Sequence, residues 1–349
     1  MRLRRSVIAL MAVLGLALVS ACNSGDDSGK AADNGLQKVS YLTSFNTFGR
    51  EAYAYVALEK GYFKDAGFDV KITPGSGTVD VMKLVAGGQA DYGIGDFTAT
   101  VITLAKQKLP VTTVGMVHQR SMAAIMSLEG LGINSPKDLP GKTIGDQPGS
   151  TNTVMFPVYA KAVGIDAKSV TFLPSPPPGL PALLASGKVQ GIGQFVVGQP
   201  LIENADKEKH RKAVVLPYGK ALPDLYGNAI ITRTDMAKDH PDQVKKFTGA
   251  LLKGLQDTYD DPAAAAATLK KYVPNTDLAV ATKELEIMKE YIKPDDLRVR
   301  SATSRRSGCR RSSRCSRSRT RSARARSSPR TSSRSAWLPR ADVRSSGTG

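Results

Sequence analysis

VSYLTSFNTFGREAYAYVALEKGYFKDAGFDVKIT, residues 39–73, is the stretch whose reading decides the fold. Val39–Leu42 is a short apolar run of strand type, and a polar loop follows it. Glu51–Lys60 then has helical character and ends at Gly61, a residue that readily takes the left-handed conformation closing a helix. Asp69–Thr73 alternates polar and apolar residues with the period of two that a strand requires. Strand, helix and strand in succession imply a parallel sheet with helices on both faces.

The same alternation continues outward. Val79–Ala86 and Phe97–Lys106 read as helices, and Tyr92–Gly95 and Val111–Val117 as strands. Further strands are expected at Ala123–Ser127, Thr143–Gly145, Val170–Leu173, Gly191–Gln194, Val214–Leu216 and Asn228–Thr232. Beyond them the pattern becomes purely helical. Val244, Phe247, Leu251 and Leu255 share one face, and Leu278, Ala281, Leu285, Met288 and Ile292 share another, as core stripes do. A chain of 349 residues exceeds the usual single domain of ~100–200 residues, so two lobes are the natural arrangement.

The formal net charge of +18 suggests a nucleic acid or an anionic surface until its distribution is read. Residues 301–349 hold 14 Arg, 15 Ser, no Lys and one acid, Asp342, and so carry +13 of it. Of the remaining +5, three charges are Arg2, Arg4 and Arg5, which leaves the body nearly neutral. Residues 1–300 use 26 Lys and 9 Arg, so the basic alphabet changes abruptly near Arg298–Ser301. Segment 301–349 has no apolar periodicity; it reads as disordered and as an out-of-frame continuation of the gene. Nucleic-acid binding, which rests on that segment alone, is not expected.

Arg2, Arg4 and Arg5 precede an unbroken apolar run, Val7–Val19, and Val19-Ser20-Ala21-Cys22 follows. A positive region, 13 apolar residues and small residues before a cysteine form a signal sequence over 1–21 that resembles the bacterial lipobox, with Cys22 as the lipidated residue. A membrane span needs ~20 apolar residues, which this run does not reach. Residues 22–36 are rich in Ser, Gly, Asp and Asn and read as a tether. The other cysteines, Cys309 and Cys315, lie in the Arg/Ser-rich segment, so the body has none for a disulfide, a metal site or catalysis.

In open α/β sheets, ligands sit at the loops beyond the carboxyl ends of the strands. Those loops are Ser44-Phe45-Asn46-Thr47-Phe48-Gly49-Arg50, Gly95-Asp96-Phe97-Thr98, Gln147-Pro148-Gly149-Ser150-Thr151-Asn152 and Gly193-Gln194-Phe195. Aromatic rings beside amides and hydroxyls suit a small, flat ligand with polar edges.

The run Glu59-Lys60-Gly61-Tyr62-Phe63-Lys64-Asp65-Ala66-Gly67-Phe68-Asp69-Val70 resembles the KGYFK-x-x-G-(F/L)-x-V signature of solute-binding proteins of the thiamine-pyrimidine-precursor and nitrate/sulfonate/taurine importer families. Ala90-Asp91-Tyr92-Gly93-Ile94-Gly95 and Pro136 to Gly145 add to the likeness, which spans Leu36 to about Leu297. It is nearest to the thiamine-precursor branch. The resemblance implies an α/β, two-lobed type II periplasmic-binding-protein fold with a ligand cleft between the lobes. Lobe 1 would comprise 37–117 and 218–300 and lobe 2 would comprise 118–217, with crossings near Val117–Gln119 and Leu216–Tyr218. It further implies a monomer that binds a small molecule, serves an ABC permease, touches the membrane only through its lipid anchor, and needs neither cofactor nor metal. A thiamine pyrimidine precursor is the expected ligand, with nitrate, sulfonate, taurine or riboflavin as alternatives.

Each candidate site residue has a plainer alternative. Phe45 and Phe48 serve either the cleft or the core, with Asn46 and Arg50 in the same loop. Asp96 and its neighbour Phe97 open a helix, where Asp is a good N-cap. Ser150 and Thr151 are caps or anion contacts, and Pro157 must kink the helix that follows or shift its start. Gln194 and Phe195 follow a Gly-rich strand; Tyr226 and Asn228 are lesser candidates. Of the three histidines, only His118, at the expected crossing, can face the cleft.

Eukaryotic relatives of this family include pyrimidine-precursor synthases that use a cysteine-rich motif and a histidine. The cysteine-free body argues against catalysis, as does the lack of a triad ordering or a phosphate-cradling loop. The lipobox reading makes a direct prediction: Cys22→Ala should move the protein from the membrane to the soluble fraction, because stable anchoring takes two or more acyl chains. Retention of the variant on membranes would contradict it.

Overall fold

Stretch 39–73 folds as the βαβ unit its pattern demands. A computed structural model describes residues 35–293; the signal sequence expected at 1–21, Cys22 and segment 301–349 lie outside the described residues. The strands are β1 (Gln37–Leu42), β2 (Phe68–Thr73), β3 (Tyr92–Asp96), β4 (Val111–Met116), β5 (Ala123–Leu128), β6 (Thr143–Asp146), β7 (Thr171–Pro174), β8 (Gly191–Phe195), β9 (Ala213–Pro217) and β10 (Asn228–Arg233). They form two five-stranded sheets, ordered β2-β1-β3-β10-β4 and β7-β6-β8-β5-β9.

Neither sheet is purely parallel, which corrects the reading from alternation. β1 runs parallel to β2 and β3, but β10 is antiparallel to β3 and β4. In the second sheet β6 runs parallel to β7 and β8, but β5 is antiparallel to β8 and β9. The exceptional strands β5 and β10 are the first to form after the chain changes sheet. A crossing leaves from a carboxyl edge and arrives at the carboxyl edge of the other sheet, so the next strand must run away from it. The start of β5 accordingly pairs with the end of β8, Ala123 with Phe195, and the start of β10 with the end of β3, Asn228 with Asp96.

Residues 117–122 make the first crossing and 222–227 the second. The second was expected at Leu216–Tyr218, but Tyr218 is buried in the second lobe, stacked on Tyr159 with ring centroids 4.1 Å apart. The two crossings are bonded to each other. Val117 and His118 N–H donate to Asn228 O at 2.8 and 3.1 Å, Gly227 N–H to His118 O at 3.2 Å, and Ser121 N–H to Leu225 O at 2.9 Å.

The first lobe is built around Phe247 of helix Pro241–Asp260. Its ring stacks on Tyr92 at 3.9 Å and on Phe63 at 5.3 Å, and meets Phe68 at 6.0 Å and Tyr41 at 6.1 Å. Helix Ala52–Glu59 is apolar nearly all round and is buried from Ala52 to Ala57, which its alanines permit. Gly254 is required where the two helices meet, since a Cβ there would lie 2.4 Å from Tyr53 O. Leu278, expected in the apolar stripe of helix Leu278–Ile292, is 42% exposed, because it is the first residue after the Asp277 cap. Phe247→Ala should destabilise the protein by about 3–5 kcal/mol, read as a lowered urea midpoint. A loss under about 1 kcal/mol would show that this ring is not the centre of the lobe.

Candidate ligand-binding cleft

The loop after β1 is set by a tight turn. Thr43 Oγ1 donates to Asn46 O at 2.6 Å and accepts from Gly75 N–H at 3.1 Å, while Asn46 N–H donates to Gly75 O at 2.7 Å. Asn46 has φ 58°, the left-handed conformation that asparagine tolerates better than most residues. The turn sends Phe45 and Phe48 inward and leads through Gly49–Glu51 into helix Ala52–Glu59, so Arg50 and Glu51 stand at a helix start on the seam between lobes.

Arg50 is wholly buried. Its guanidinium carbon lies 4.9 Å from the Phe48 ring centre, 4.6 Å from Phe195 of the second lobe and 6.0 Å from Phe45. Phe45 and Phe195 meet edge to face at 6.1 Å. Cation–π attraction at desolvated sites of this kind reaches ~2 kcal/mol. Arg50 Nη2 donates to Phe45 O at 2.9 Å, and Nε lies 3.5 Å from Glu51 Oε1; Nε and Nη1 make no hydrogen bond. Glu51 accepts from Ser44 Oγ and, at 3.3 Å, from Tyr53 OH, which in turn meets Tyr41 OH at 3.3 Å. Burial raises the Glu51 carboxyl, and the Arg50 charge draws it back.

Two further titratable groups feel Arg50. Burial pushes Glu284, on helix Leu278–Ile292, up to about 7, against the Arg50 charge and the N–H groups of Gly49 and Arg50. Burial and the Arg50 charge together hold His118 down at about 3, so the imidazole is neutral, and neither of its ring nitrogens has a partner.

The remaining candidates split into two groups. Asp96 caps helix Phe97–Lys106, its Oδ1 accepting from Ala99 N–H at 2.8 Å, and burial raises it to about 7. Ser150 caps helix Thr151–Ala162 by accepting from Thr153 N–H at 3.1 Å, and it donates to Asp146 Oδ2 at 2.7 Å. That helix neither starts late nor breaks at Pro157, which lies on its exposed side, where water can reach the carbonyl the proline leaves unpaired. Thr151 joins the lobes directly, its hydroxyl 3.0 Å from that of Thr78, and Val79 N–H donates to Gly149 O at 3.1 Å. Gln194 Oε1 accepts from Phe195 N–H at 2.9 Å, leaving Nε2 unpartnered, as is Nδ2 of Asn228. Phe97 and Tyr226 form a separate edge-to-face pair at 5.8 Å, with Tyr226 45% exposed.

The structure thus gathers Phe45, Phe48, Arg50 and Phe195 at one point, while Asp96, Ser150 and Gln194 serve local backbone. Glu51, Asp146 and Glu284 were not anticipated from the sequence. A signal for Glu284 was present, since it stands between Ala281, Leu285 and Met288 in an apolar stripe where a carboxylate has no ordinary place.

Two mixed sheets with facing carboxyl edges, two crossings and a lined cleft define the solute-binding protein fold of ABC importers. The alkanesulfonate-binding protein of Xanthomonas axonopodis pv. citri superposes on 80% of this chain and 95% of its own, with a TM-score of 0.58 at 17% identity. Residues 50–265 match the family described as NMT1/THI5 like, and the chain belongs to that family. The formylaminopyrimidine-binding protein of Halalkalibacterium halodurans is 25% identical over 264 residues, covering 74% of this chain and 76% of that protein. The 4-amino-5-hydroxymethyl-2-methylpyrimidine phosphate synthase of Schizosaccharomyces pombe is 25% identical over 243 residues, covering 68% and 69%.

The cleft carboxyls give stability a distinctive pH dependence. Asp96 and Asp146 rise from 3.8 to about 7 and Glu284 from 4.5 to about 7, so each is protonated in the folded state at a pH where the unfolded chain is ionised. His118, lowered from 6.5 to about 3, does the reverse. Asp138, Asp206 and Asp257 are lowered, so they act only below their ordinary range. With Glu51, which burial also raises, four groups against one make the fold bind more protons than the unfolded chain between about pH 4.5 and 7, so stability falls as pH rises through that window. The melting temperature should therefore be higher near pH 5.5 than near pH 8, and Asp146→Asn should shrink the difference. A higher value near pH 8 would contradict this.

Proposed function

We propose that this protein is an extracytoplasmic solute-binding lipoprotein, anchored through Cys22, that captures a small flat heterocycle and passes it unchanged to the permease of an ABC importer. A pyrimidine of the thiamine-precursor kind is the ligand the reading favours. The observation that carries it is the aromatic cage, to which Phe45 and Phe48 of the first lobe and Phe195 of the second contribute. A flat ring held there touches both lobes at once, so its binding energy favours closure. The pyrimidine-binding relative from Halalkalibacterium halodurans supports the ligand class.

The fungal synthases of the same family make an enzyme the competing reading. Against it stand the absence of cysteine from residues 23–308 and the partners of three buried acids: Asp96 caps a helix, Asp146 accepts from the Ser150 hydroxyl, and Glu51 pairs with Arg50.

Calorimetric titration with 4-amino-5-hydroxymethyl-2-methylpyrimidine, formylaminopyrimidine, riboflavin, nitrate and taurine tests the reading. A flat heterocycle should bind and be recovered intact. Phe195→Ala should weaken it ~10- to 100-fold through lost stacking and buried area. Binding of nitrate or taurine alone, or turnover of a bound pyrimidine, would overturn the proposal.

A further inference from the structure

The charges around the cage select among flat ligands, an inference that rests on the capture reading above. The Arg50 charge is already matched by Glu51, 3.5 Å away, in surroundings from which water is excluded. A second carboxyl, Glu284, acts on the same guanidinium without forming an ion pair with it. An anionic ligand would therefore add uncompensated negative charge to a buried site, where an unpaired charge is strongly disfavoured. This separates the cage from the sites of anion binders that share the fold.

The unpartnered atoms say what the cage accepts instead. Arg50 Nε and Nη1 are donors without an acceptor, and Glu284 Oε1, an acceptor once the carboxyl ionises above about pH 7, has no donor. His118, neutral, adds one N–H and one lone pair, both unused. Buried polar groups in folded proteins are nearly always satisfied, so free groups of both kinds call for a neutral partner with both. Arg50 and Glu284 come from distant parts of the chain, a helix start after β1 and the last described helix, and they converge because Glu284 lies against Gly49. A Cβ on Gly49 would fall within contact distance of Glu284 Oε2, so the glycine keeps that space open for the carboxylate.

We infer that Arg50 and Glu284 are specificity residues that read one edge of the ligand. Arg50 Nη1 donates to a ring nitrogen or carbonyl oxygen, and Glu284 Oε1 accepts from the N–H beside it. The ligand class is then a neutral heterocycle with an acceptor and a donor on adjacent atoms, as in an aminopyrimidine or a cyclic imide. The polar pair fixes the rotation of the ligand beside the guanidinium that Phe48 and Phe195 flank.

Matched pairs of ligands test this on the full chain: 4-amino-5-hydroxymethyl-2-methylpyrimidine against its analogue lacking the amino group, and riboflavin against 3-methylriboflavin. In the pair whose parent binds, the analogue without the N–H should bind ~10- to 100-fold more weakly, the cost of leaving a buried acceptor unpaired. Glu284→Met should abolish that discrimination by weakening the parent to the level of the analogue. Glu284→Gln, which keeps an acceptor oxygen and nearly the same shape, should retain part of it and guards against misfolding of the first variant. Arg50→Lys, which loses the planar fork, should weaken both members alike. Equal binding of the two members by the unaltered protein, or discrimination that survives Glu284→Met, would overturn the inference and leave the capture reading standing. If neither parent nor any other flat heterocycle binds, the capture reading fails and this inference with it.

Discussion

A guanidinium buried among aromatic rings from two lobes is the constraint around which the molecule is organised. Arg50 has no exposed surface, and so large a charged group is tolerated inside only because its charge is matched and its faces are covered. Glu51 supplies the match, Phe48 and Phe195 cover the faces, and Glu284 closes over the loop from the last described helix. Those partners come from both lobes and from the C-terminal helices, so satisfying one side chain draws together segments more than two hundred residues apart. Helix Ala52–Glu59, held against Gly254, is the rigid base from which Arg50 and Glu51 project.

Topology supplies the place for that interaction. Each crossing runs from one carboxyl edge to the other, which forces β5 and β10 to be antiparallel and leaves the carboxyl edges of β3 and β8 facing one seam. The two crossings bond to each other through Val117, His118, Gly227 and Asn228, so they are suited to move as one hinge. Across the seam, Gly77 and Gly149 allow backbone to approach backbone. Both have positive φ, and a Cβ on Gly77 would stand 3.1 Å from Ser150 Cα. The lobes thus touch through small residues at helix starts and through rings at the cage. The first kind of contact is cheap to make and break; the second is completed by whatever the rings hold.

Much of this was legible in the sequence because it depends on local pattern. All ten strands were expected near their observed positions, since alternation and β-branched runs are local signals, and the last helices announced themselves by apolar spacing. Sheet direction was not legible, because β5 and β10 differ from their neighbours only in what precedes them in space. The second crossing was expected too early, because nothing in the sequence says that Tyr218 stacks on Tyr159. At the site, Phe45, Phe48, Arg50 and Phe195 were chosen as polar-loop aromatics and their neighbours, and the fold brings those four together. Glu51 entered the sequence reading only as the first residue of the helical stretch 51–60. Only the three-dimensional path shows it paired with Arg50, and only the contact with Gly49 gives Glu284 a partner across more than two hundred residues.

The account requires the lobes to part for a ligand to reach the cage and to close once it is held, since Arg50, Phe45 and Phe195 have almost no exposed surface in the arrangement described here. Small-angle X-ray scattering with and without a saturating heterocycle measures that directly. The account predicts a smaller radius of gyration in the saturated protein and a curve matching the closed arrangement. An unchanged radius at demonstrated saturation would contradict it.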